Sequence, residues 1–420
     1  RIRPLQQQGS KGTRSRRQRM AAARSVPLQM CESLIQELAS KRASAMSLRA
    51  LFDFASSKNA MSLGSRKVAM ARFLHRELPI RMAQRIDELS RLPFGLGDSS
   101  DVRWITDTYS GHVERLLATA EPQSSNDEEA FAEAVRQVLV NRVAVPRRLA
   151  RATRAAELAA EERSPSQQRR RRLFFRGGKD DDVGGEYEEL FRPAIDEAMD
   201  RFFVARIGLR LLVEHYLSAR AGDGGEIEAF CRPGAVAREA AQAARDLCER
   251  ELGAAPAVDI VGDLDDTFTY APSHCRYVFL ELLKNACRAT AESAPQRMPP
   301  VQVQVVAGDE DFSIKVADLG GGCSRREAKL AWSWFHSRYP LPSDDLSESS
   351  NDPSLALTSG WGIGLPLSRA YCRYFGGDLR LRALQGYGTD AYVFLSRLGF
   401  ECENLPTRVQ RSPASRDSTW

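Results

Sequence analysis

The spacing of hydrophobic and polar positions changes character partway along the chain. Up to about residue 225, apolar residues recur every three or four positions, which is typical of amphipathic helices. In segment 68–94, one predicted helix face consists of Phe73, Leu74, Leu78, Met82 and Ile86. Pro79 lies inside this segment and is expected to kink the helix or to begin a new one. A second such segment, 198–219, predicts a long buried helix, so residues 26–225 are predicted to form an all-helical domain.

After a glycine-rich linker near residues 220–226, the spacing of apolar residues shortens to two. Segments 301–306, 312–318, 379–384 and 391–396 each alternate and predict strands, with helical segments between them. We therefore predict a second domain, residues 232–400, in which a mixed sheet packs on helices, followed by a polar tail at 401–420. The predicted fold class is α+β with two domains.

An arginine-rich segment followed by runs of Asp and Gly interrupts the helical pattern at residues 146–187. Blocks of like charge are typical of solvated segments. We predict a solvated insertion here, with a docking loop for an acidic partner as the alternative.

The charge distribution excludes some classes of function. The chain has 60 basic and 55 acidic residues, but eight of the basic ones and no acidic one lie in residues 1–24. The rest is slightly acidic, so binding to nucleic acid is not expected. Residues 1–25 are interpreted as a basic tail or a transit-peptide remnant. No apolar run approaches the roughly 20 residues that span a bilayer, and the eight cysteines include no C-x-x-C pair.

Polar residues of several types share one face of the helix predicted around residues 279–293. At about 100° per residue, this face contains Glu281, Lys284, Asn285, Arg288 and Glu292. A carboxylate, an amide and a guanidinium one turn apart suit a proton acceptor, a metal ligand and a phosphate partner. Taken alone, the same composition favours an ordinary solvent-exposed helix face.

Two glycine-rich segments follow. In the first, a predicted strand ends at Asp318 and three glycines follow, which would let the backbone approach a flat ligand while the carboxylate accepts from an exocyclic amine. In the second, Gly360, Gly362 and Gly364 precede a helix whose N-terminal N–H groups favour an anion. The second segment is neither a P-loop nor a G-x-G-x-x-G motif. Taken alone, the first segment favours a sharp turn with an Asp cap, and the second is a weak signal.

Taken together, the three segments resemble the N, G1 and G2 boxes of the GHKL ATP-binding superfamily. The strings ELLKNACRAT, DLGGG, GWGIGLPLSRAYCRYFGGDL and GYGTDA are more closely similar to the mitochondrial 2-oxo acid dehydrogenase kinases, which act on pyruvate or branched-chain 2-oxo acid dehydrogenase. In the helical domain, RFLHRELPIRMAQRI, LPF and RIGLRLL resemble the same family. The resemblance covers roughly residues 60–410 apart from the insertion.

This resemblance implies an N-terminal four-helix bundle joined to a GHKL α/β sandwich, forming a homodimer in the mitochondrial matrix. ATP and Mg²⁺ are the implied cofactors, with K⁺ as a further candidate. Family members phosphorylate serine on the E1α subunit of a 2-oxo acid dehydrogenase, which down-regulates the complex, and dock on the lipoyl domain of its E2 core. The implied partners of this chain are therefore E1α, the E2 lipoyl domain and a second copy of itself.

The family's functional residues can be carried onto matching positions of this chain. Glu281 would act as general base or orient the substrate hydroxyl, Asn285 would bind Mg²⁺, and Arg288 would support the phosphates. Asp318 would read the adenine amine, and Thr389 would lie behind the adenine. The ATP lid would contribute Ser337 and Arg338, and the phosphates would be wrapped by Gly360, Trp361, Gly362, Ile363, Gly364 and Leu365.

The chain departs from the family pattern at three places, one of which is a long and acidic ATP lid. Tyr277 replaces a His that many pyruvate dehydrogenase kinases have one turn before the catalytic Glu, and Asp417 and Trp420 are not adjacent, unlike the Asp-Trp pair used for tail exchange. The residues leave open whether the pyruvate or the branched-chain enzyme is the substrate. A nucleotide-binding scaffold and a histidine kinase are the alternatives. The latter is disfavoured because no His is followed by an acid.

Overall fold

The computed structural model describes residues 28–56, 62–140, 144–163, 185–337 and 360–406. The predicted basic tail 1–25, residues 164–184 of the insertion and residues 407–420 therefore lie outside the described residues. Among the described helices, none has both the length and the apolar content needed to cross a membrane.

The N-terminal region is helical, as predicted. Its helices are α1 (Leu28–Ser40), α2 (Leu48–Ala55), α3 (Leu63–Ser90), α4 (Ser100–Leu117), α5 (Ser125–Arg136), α6 (Ala144–Arg163) and α7 (Gly185–Ala221), with 3-10 turns at Pro93–Asp98 and Gln137–Leu139. Serine caps begin several helices: Ser62 accepts from the Ser65 N–H, and Ser124 forms a reciprocal capping box with Asp127. Helix α3 packs against α4 and α7, and α4 packs against α6; we call these four helices the bundle.

Helix α3 runs through Pro79 without a break, so no new helix begins there. Proline removes one helical hydrogen bond and usually disrupts a helix interior. Pro79 is, however, fully enclosed by the bundle, with Leu78 and Met82 0% exposed beside it. Packing of this buried face holds the helix together where local propensity would break it.

The first part of the predicted insertion belongs to the bundle. Residues 144–163 form α6, whose Val145, Leu149 and Ala152 are buried at helical spacing. Two of its arginines pair with Asp101 of α4: Arg148 donates at 2.9 Å and lies 4.0 Å from the centre of the Trp104 ring, and Arg151 Nε donates at 2.7 Å. The solvated-insertion prediction is therefore wrong for residues 146–163, and residues 164–184 lie outside the described part of the chain.

The C-terminal region is an α/β layer structure. Its helices are α8 (Pro233–Leu252), α9 (Pro272–Ser293), α10 (Arg325–Leu330) and α11 (Gly364–Tyr374). Its strands are β1 (Glu228–Cys231), β2 (Val258–Gly262), β3 (Phe268–Tyr270), β4 (Val301–Ala307), β5 (Asp311–Gly321), β6 (Asp378–Leu384) and β7 (Tyr387–Ser396). The main sheet has the order β2-β4-β5-β7-β6, with β2 parallel to β4 and the other pairs antiparallel.

The mixed sheet on helices, preceded by a helical region, confirms the predicted fold class. The four predicted strands correspond to β4–β7, whereas β1, β2 and β3 were not predicted. Strands β1 and β3 form a separate antiparallel pair. Helices α8 and α9 pack against each other, and α9 also packs on β5.

Buried polar contacts join the two regions. Arg81 of α3 donates through Nη2 to Glu403 at 2.7 Å and through Nε to Glu77 at 2.8 Å. Glu403 also accepts from the Met46 N–H at 3.0 Å and from the Tyr374 hydroxyl of α11. The segment after the sheet is thereby anchored to the bundle and to α11 at once.

Removing the Glu403 carboxylate should strongly destabilise this junction. The Arg81 and Glu403 side chains are 4% and 0% exposed, so Glu403→Ala leaves a buried guanidinium without its closest counter-charge. We expect a loss of about 3–5 kcal/mol in the free energy of unfolding, measured by denaturant titration. As a control, Glu37→Ala removes an exposed pair with Lys41 and should cost less than about 1 kcal/mol. Equal effects of the two variants would contradict this description.

Candidate active site

A cleft of about 520 Å³ opens between α9, the sheet and the loop that leads into α11. The three sequence segments that predicted a ligand site converge on its walls. The cleft is lined by every predicted site residue that the structure describes: Glu281, Asn285, Arg288, Asp318, Ser337, Gly360, Trp361, Gly362, Ile363, Gly364, Leu365 and Thr389. Arg338 lies outside the described residues.

Glu281 is buried on α9 at the inner end of the cleft, with 3% of its surface exposed. Lys284 Nζ, one turn along, donates to Oε1 at 2.8 Å. Burial raises the pKa of Glu281, while the charge and hydrogen bond of Lys284 partly oppose this shift. The α9 polar face is thus not an ordinary solvated helix surface at this position.

Gly364, the first residue of α11, faces this carboxylate. A Cβ at position 364 would overlap Glu281 Oε2. The absence of a side chain therefore lets the N-terminus of α11 approach Glu281. This contact brings the second glycine-rich segment to the polar face of α9.

Asn285 and Arg288 continue the same face towards solvent. Asn285 is exposed and lines the cleft. Arg288 is held by two carboxylates: its Nη2 lies 2.8 Å from Glu251 of α8, and its Nε lies 3.3 Å from Glu292. The Asn285 amide is accessible to a ligand, whereas the Arg288 guanidinium already pairs with two carboxylates at the rim of the cleft.

Asp318 lies at the other end of the cleft, where β5 approaches α9. It is 8% exposed, and its Oδ1 accepts from the Gly320 N–H at 2.8 Å and from the Thr389 N–H at 3.3 Å. Burial raises the pKa of Asp318, and these two N–H donors partly offset the shift. A Cβ on Gly320 would lie 2.6 Å from the Ala289 Cβ, so glycine permits the close approach of strand and helix.

The loop before α11 has backbone angles that favour glycine. Gly360 and Gly362 have φ values of 58° and 68°, in the left-handed region. A Cβ on Gly362 would overlap the backbone of His336, and the Gly362 carbonyl accepts from the Phe335 N–H at 2.9 Å. The loop therefore packs tightly on the segment that carries Ser337, and it leads directly into the N-terminus of α11.

Sequence reasoning missed several residues of this region. Leu381, Ala383 and Ala391 of β6 and β7 form an apolar wall of the cleft, which the alternation of those strands could have indicated. Trp334 was also missed: its backbone N–H donates to Asp196 and its indole Nε1 to Asp200, at 2.8 and 2.7 Å. These two contacts tie the segment before Ser337 to α7 of the helical region.

The donor set indicates how a metal ion would be held. The described residues contain no group of three or more His, Cys, Asp or Glu side chains suited to a metal ion. A bound Mg²⁺ would therefore need its remaining oxygens from phosphate and water, with the Asn285 amide as a protein ligand. This is the usual manner of Mg²⁺ binding with nucleotides, so the residues fit the ion.

Residues 271–398, which contain most of the C-terminal fold and its cleft, match the sequence model described as histidine kinase-, DNA gyrase B- and HSP90-like ATPase. Residues 45–224 match the model of mitochondrial branched-chain alpha-ketoacid dehydrogenase kinase. Together with the relatives described next, these matches show that the chain belongs to the mitochondrial 2-oxo acid dehydrogenase kinase family.

Two of the three relatives described here cover most of the chain. A mitochondrial pyruvate dehydrogenase (acetyl-transferring) kinase of Arabidopsis thaliana is 35% identical over 372 residues, covering 86% of this chain and 92% of the relative. Isozyme 4 of the Homo sapiens enzyme is 30% identical over 379 residues, covering 86% and 84%. The Schizosaccharomyces pombe kinase is 38% identical over 218 residues, covering 49% and 51%.

Proposed function

We propose that this chain is an ATP-dependent protein-serine kinase that phosphorylates the E1α subunit of pyruvate dehydrogenase in the mitochondrial matrix and thereby down-regulates it. The observation that supports this most is the convergence of a buried carboxylate, an open amide and a glycine-rich helix N-terminus in one cleft. The names of the relatives support pyruvate dehydrogenase as the target. The match of residues 45–224 favours branched-chain 2-oxo acid dehydrogenase as a second candidate.

In the proposed reaction, the serine oxygen bonds to the γ-phosphorus of ATP while the bond from that phosphorus to the β–γ bridging oxygen breaks. The serine proton passes to the Glu281 carboxylate, and ADP leaves. Lys284 holds that carboxylate in place through the hydrogen bond to Oε1. When bound at Asn285, Mg²⁺ supplies charge neutralisation for the phosphates.

The rest of the cleft positions the nucleotide in this proposal. The Asp318 carboxylate accepts from the adenine amine, and Thr389 lies beside it because the two residues are paired across β5 and β7. The loop 360–365 places backbone N–H groups and the positive end of α11 near the phosphates. Positioning and electrostatics of this kind carry most of the catalysis of phosphoryl transfer.

The fall of kinase activity at low pH should follow the protonation of Glu281. Only the ionised carboxylate accepts a proton, and burial raises its pKa. Activity should therefore fall as pH drops through a value above the usual ~4.3 of glutamate. Lys284→Met removes the group that lowers this pKa, so the fall in kcat should move to higher pH.

Tyr277 should cause no change of kinase activity with pH near neutrality, since burial holds its pKa well above the usual value of tyrosine. Tyr277→His should introduce one. If Lys284→Met left the fall of activity at low pH unmoved, Glu281 would not be the group that titrates.

The resemblance also supports docking on the E2 lipoyl domain and assembly as a homodimer, both of which we propose. Co-sedimentation of the full chain with purified E2, and its mass by sedimentation equilibrium, test the two separately. An E2 core lacking lipoyl domains is the matched control, and it should not carry the kinase down.

The burial and hydrogen bonding of the histidines on the helices argue against histidine-kinase activity. His112, His215 and His274 are buried, and burial lowers their pKa values to about 4, 4 and 3. His75 Nε2 is hydrogen-bonded to the Thr119 carbonyl at 3.0 Å. None of these is presented as an accessible phosphate acceptor.

The proposed function is tested with γ-labelled ATP and each purified E1 component. We expect label on serine of pyruvate dehydrogenase E1α, and mapping of phosphopeptides identifies the residue type. Label on the branched-chain E1α alone would support the second candidate. ATP binding without label on either component would indicate the nucleotide-binding scaffold instead.

A further inference from the structure

A second cavity, of about 240 Å³, lies where the helical region meets the ATPase region. Helix α7 and the start of α6 form one side, and α9 and α11 form the other. Trp361 and Ile363 line both this cavity and the nucleotide cleft, so they form the partition between the two.

Unpaired polar atoms are concentrated around this cavity. Five of the side chains that line it have a buried nitrogen or oxygen that makes no hydrogen bond with any described residue: Arg147 Nε, Arg210 Nε, His274 Nδ1, Tyr277 Oη and Trp361 Nε1. Native proteins leave few such atoms without partners. Four of the five carry a hydrogen to donate, so the cavity suits a ligand rich in acceptors, such as the carbonyls of a peptide.

The side chains that line the cavity also carry a net positive charge. Four arginines and one glutamate line the cavity: Arg147, Arg206, Arg210, Arg276 and Glu214. Arg210 is paired with Glu214 at 2.9 Å, and Arg276 with Glu239 at 2.5 Å. Arg147 makes no ion pair within the described part of the chain. An acidic group in the ligand would therefore find its counter-charge at Arg147.

The cavity adjoins the part of α9 that carries the catalytic carboxylate, while Glu281 itself lines the nucleotide cleft on the other side of the partition. Tyr277 lies one helical turn before Glu281 on α9, and Leu280 is its immediate neighbour. The charge of Glu281 is close enough to contribute to the raised pKa of Tyr277, after the larger effect of burial. Residues next to the accepting serine could therefore occupy this cavity while the serine hydroxyl lies beside Glu281, across the partition formed by Trp361 and Ile363.

We propose that this cavity holds the residues that flank the accepting serine in the protein substrate. The unpaired N–H and O–H groups of the cavity donate hydrogen bonds to backbone carbonyls of this flanking segment. Arg147 pairs with an acidic side chain close to the accepting serine. The apolar lining, which includes Phe203 and Leu367, contacts an aliphatic neighbour. This inference rests on the proposed kinase function and adds to it a preference for acidic residues beside the serine.

The test compares Arg147→Met with the full-length wild type, using purified pyruvate dehydrogenase E1 and ATP. The KM for E1 should rise about tenfold, because a charge-assisted pair is lost. The KM for ATP should stay within about twofold. Arg147→Lys should recover part of the loss, since it keeps the charge. Arg136→Met is the matched control: Arg136 lies on α5, is paired with Glu133 at 2.5 Å and lines neither cavity, so both KM values should be unchanged.

A second measurement identifies the acidic partner. Replacing the acidic residues of E1α nearest the accepting serine by their amides should raise the KM about tenfold with wild-type kinase and change it little with Arg147→Met. An unchanged KM for E1 in Arg147→Met, or an equal rise in the KM for ATP, refutes the inference and leaves the proposed function intact. If the wild type phosphorylates neither E1 component, the proposed function fails and the inference fails with it.

Discussion

Glu281→Gln is expected to bind MgATP with near wild-type affinity while transferring phosphate to E1α at least about a hundredfold more slowly. The amide keeps the size and polarity of the side chain but cannot accept the serine proton. Because the Glu281 carboxylate is buried and bonded to Lys284, no solvent-exposed base can easily take its place. Isothermal titration calorimetry measures the binding, and incorporation of labelled phosphate measures the transfer.

Glu292→Gln is the matched control for this variant. Glu292 lies on the same face of α9 but is exposed at the rim, where it pairs with Arg288. Its replacement should leave the transfer rate within about threefold, as expected for an exposed pair. Wild-type transfer in Glu281→Gln would remove Glu281 from the chemistry.

Asn285→Ala is expected to weaken binding of MgATP by at least about a hundredfold without unfolding the chain. Mg²⁺ requires close oxygen ligands in octahedral geometry, and alanine supplies none. Because Asn285 is exposed, its truncation leaves no cavity in the core, and the unfolding transition should stay near that of the wild type.

Asn285→Asp provides the control, since it keeps an oxygen at the same reach and should retain most of the affinity for MgATP. Calorimetric titrations with and without Mg²⁺ separate the metal from the nucleotide. If Asn285→Ala bound MgATP as tightly as the wild type, the proposed metal ligand would be wrong.

The local spacing of apolar residues in the sequence was sufficient to predict most of the fold. Strands β4–β7 alternate over seven or more residues each and were predicted. Strands β1 and β3 are only 4 and 3 residues long, too short for an alternating pattern to stand out. Strand β2 has no buried residue, so its sequence has no strong hydrophobic signal.

The error at residues 146–163 has a different cause. The arginines of α6 give it the composition of a solvated segment, but Arg148 and Arg151 both pair with Asp101 of α4. Asp101 is almost fifty positions away in sequence, so nothing local indicates that these charges are satisfied. The buried spacing of Val145, Leu149 and Ala152 was present in the sequence and was outweighed by the charge pattern.

The candidate site was predictable because its residues lie in short, dense segments. The helical periodicity of α9 placed Glu281 and Asn285 on one face, and the glycines marked the loops that approach it. The contact of Gly364 with Glu281 and the anchoring of Trp334 by Asp196 and Asp200 depend on how distant elements pack. The second cavity likewise joins α6, α7, α9 and α11, and no segment of the sequence contains it.

The most direct test of the kinase assignment is to follow the activity of purified pyruvate dehydrogenase E1 during incubation with this protein and labelled MgATP. E1 activity should fall in proportion to the phosphate incorporated into E1α serine with the wild type, and neither should change with Glu281→Gln. If the wild type binds MgATP and yet leaves both pyruvate and branched-chain E1 unlabelled and fully active, the kinase assignment is contradicted.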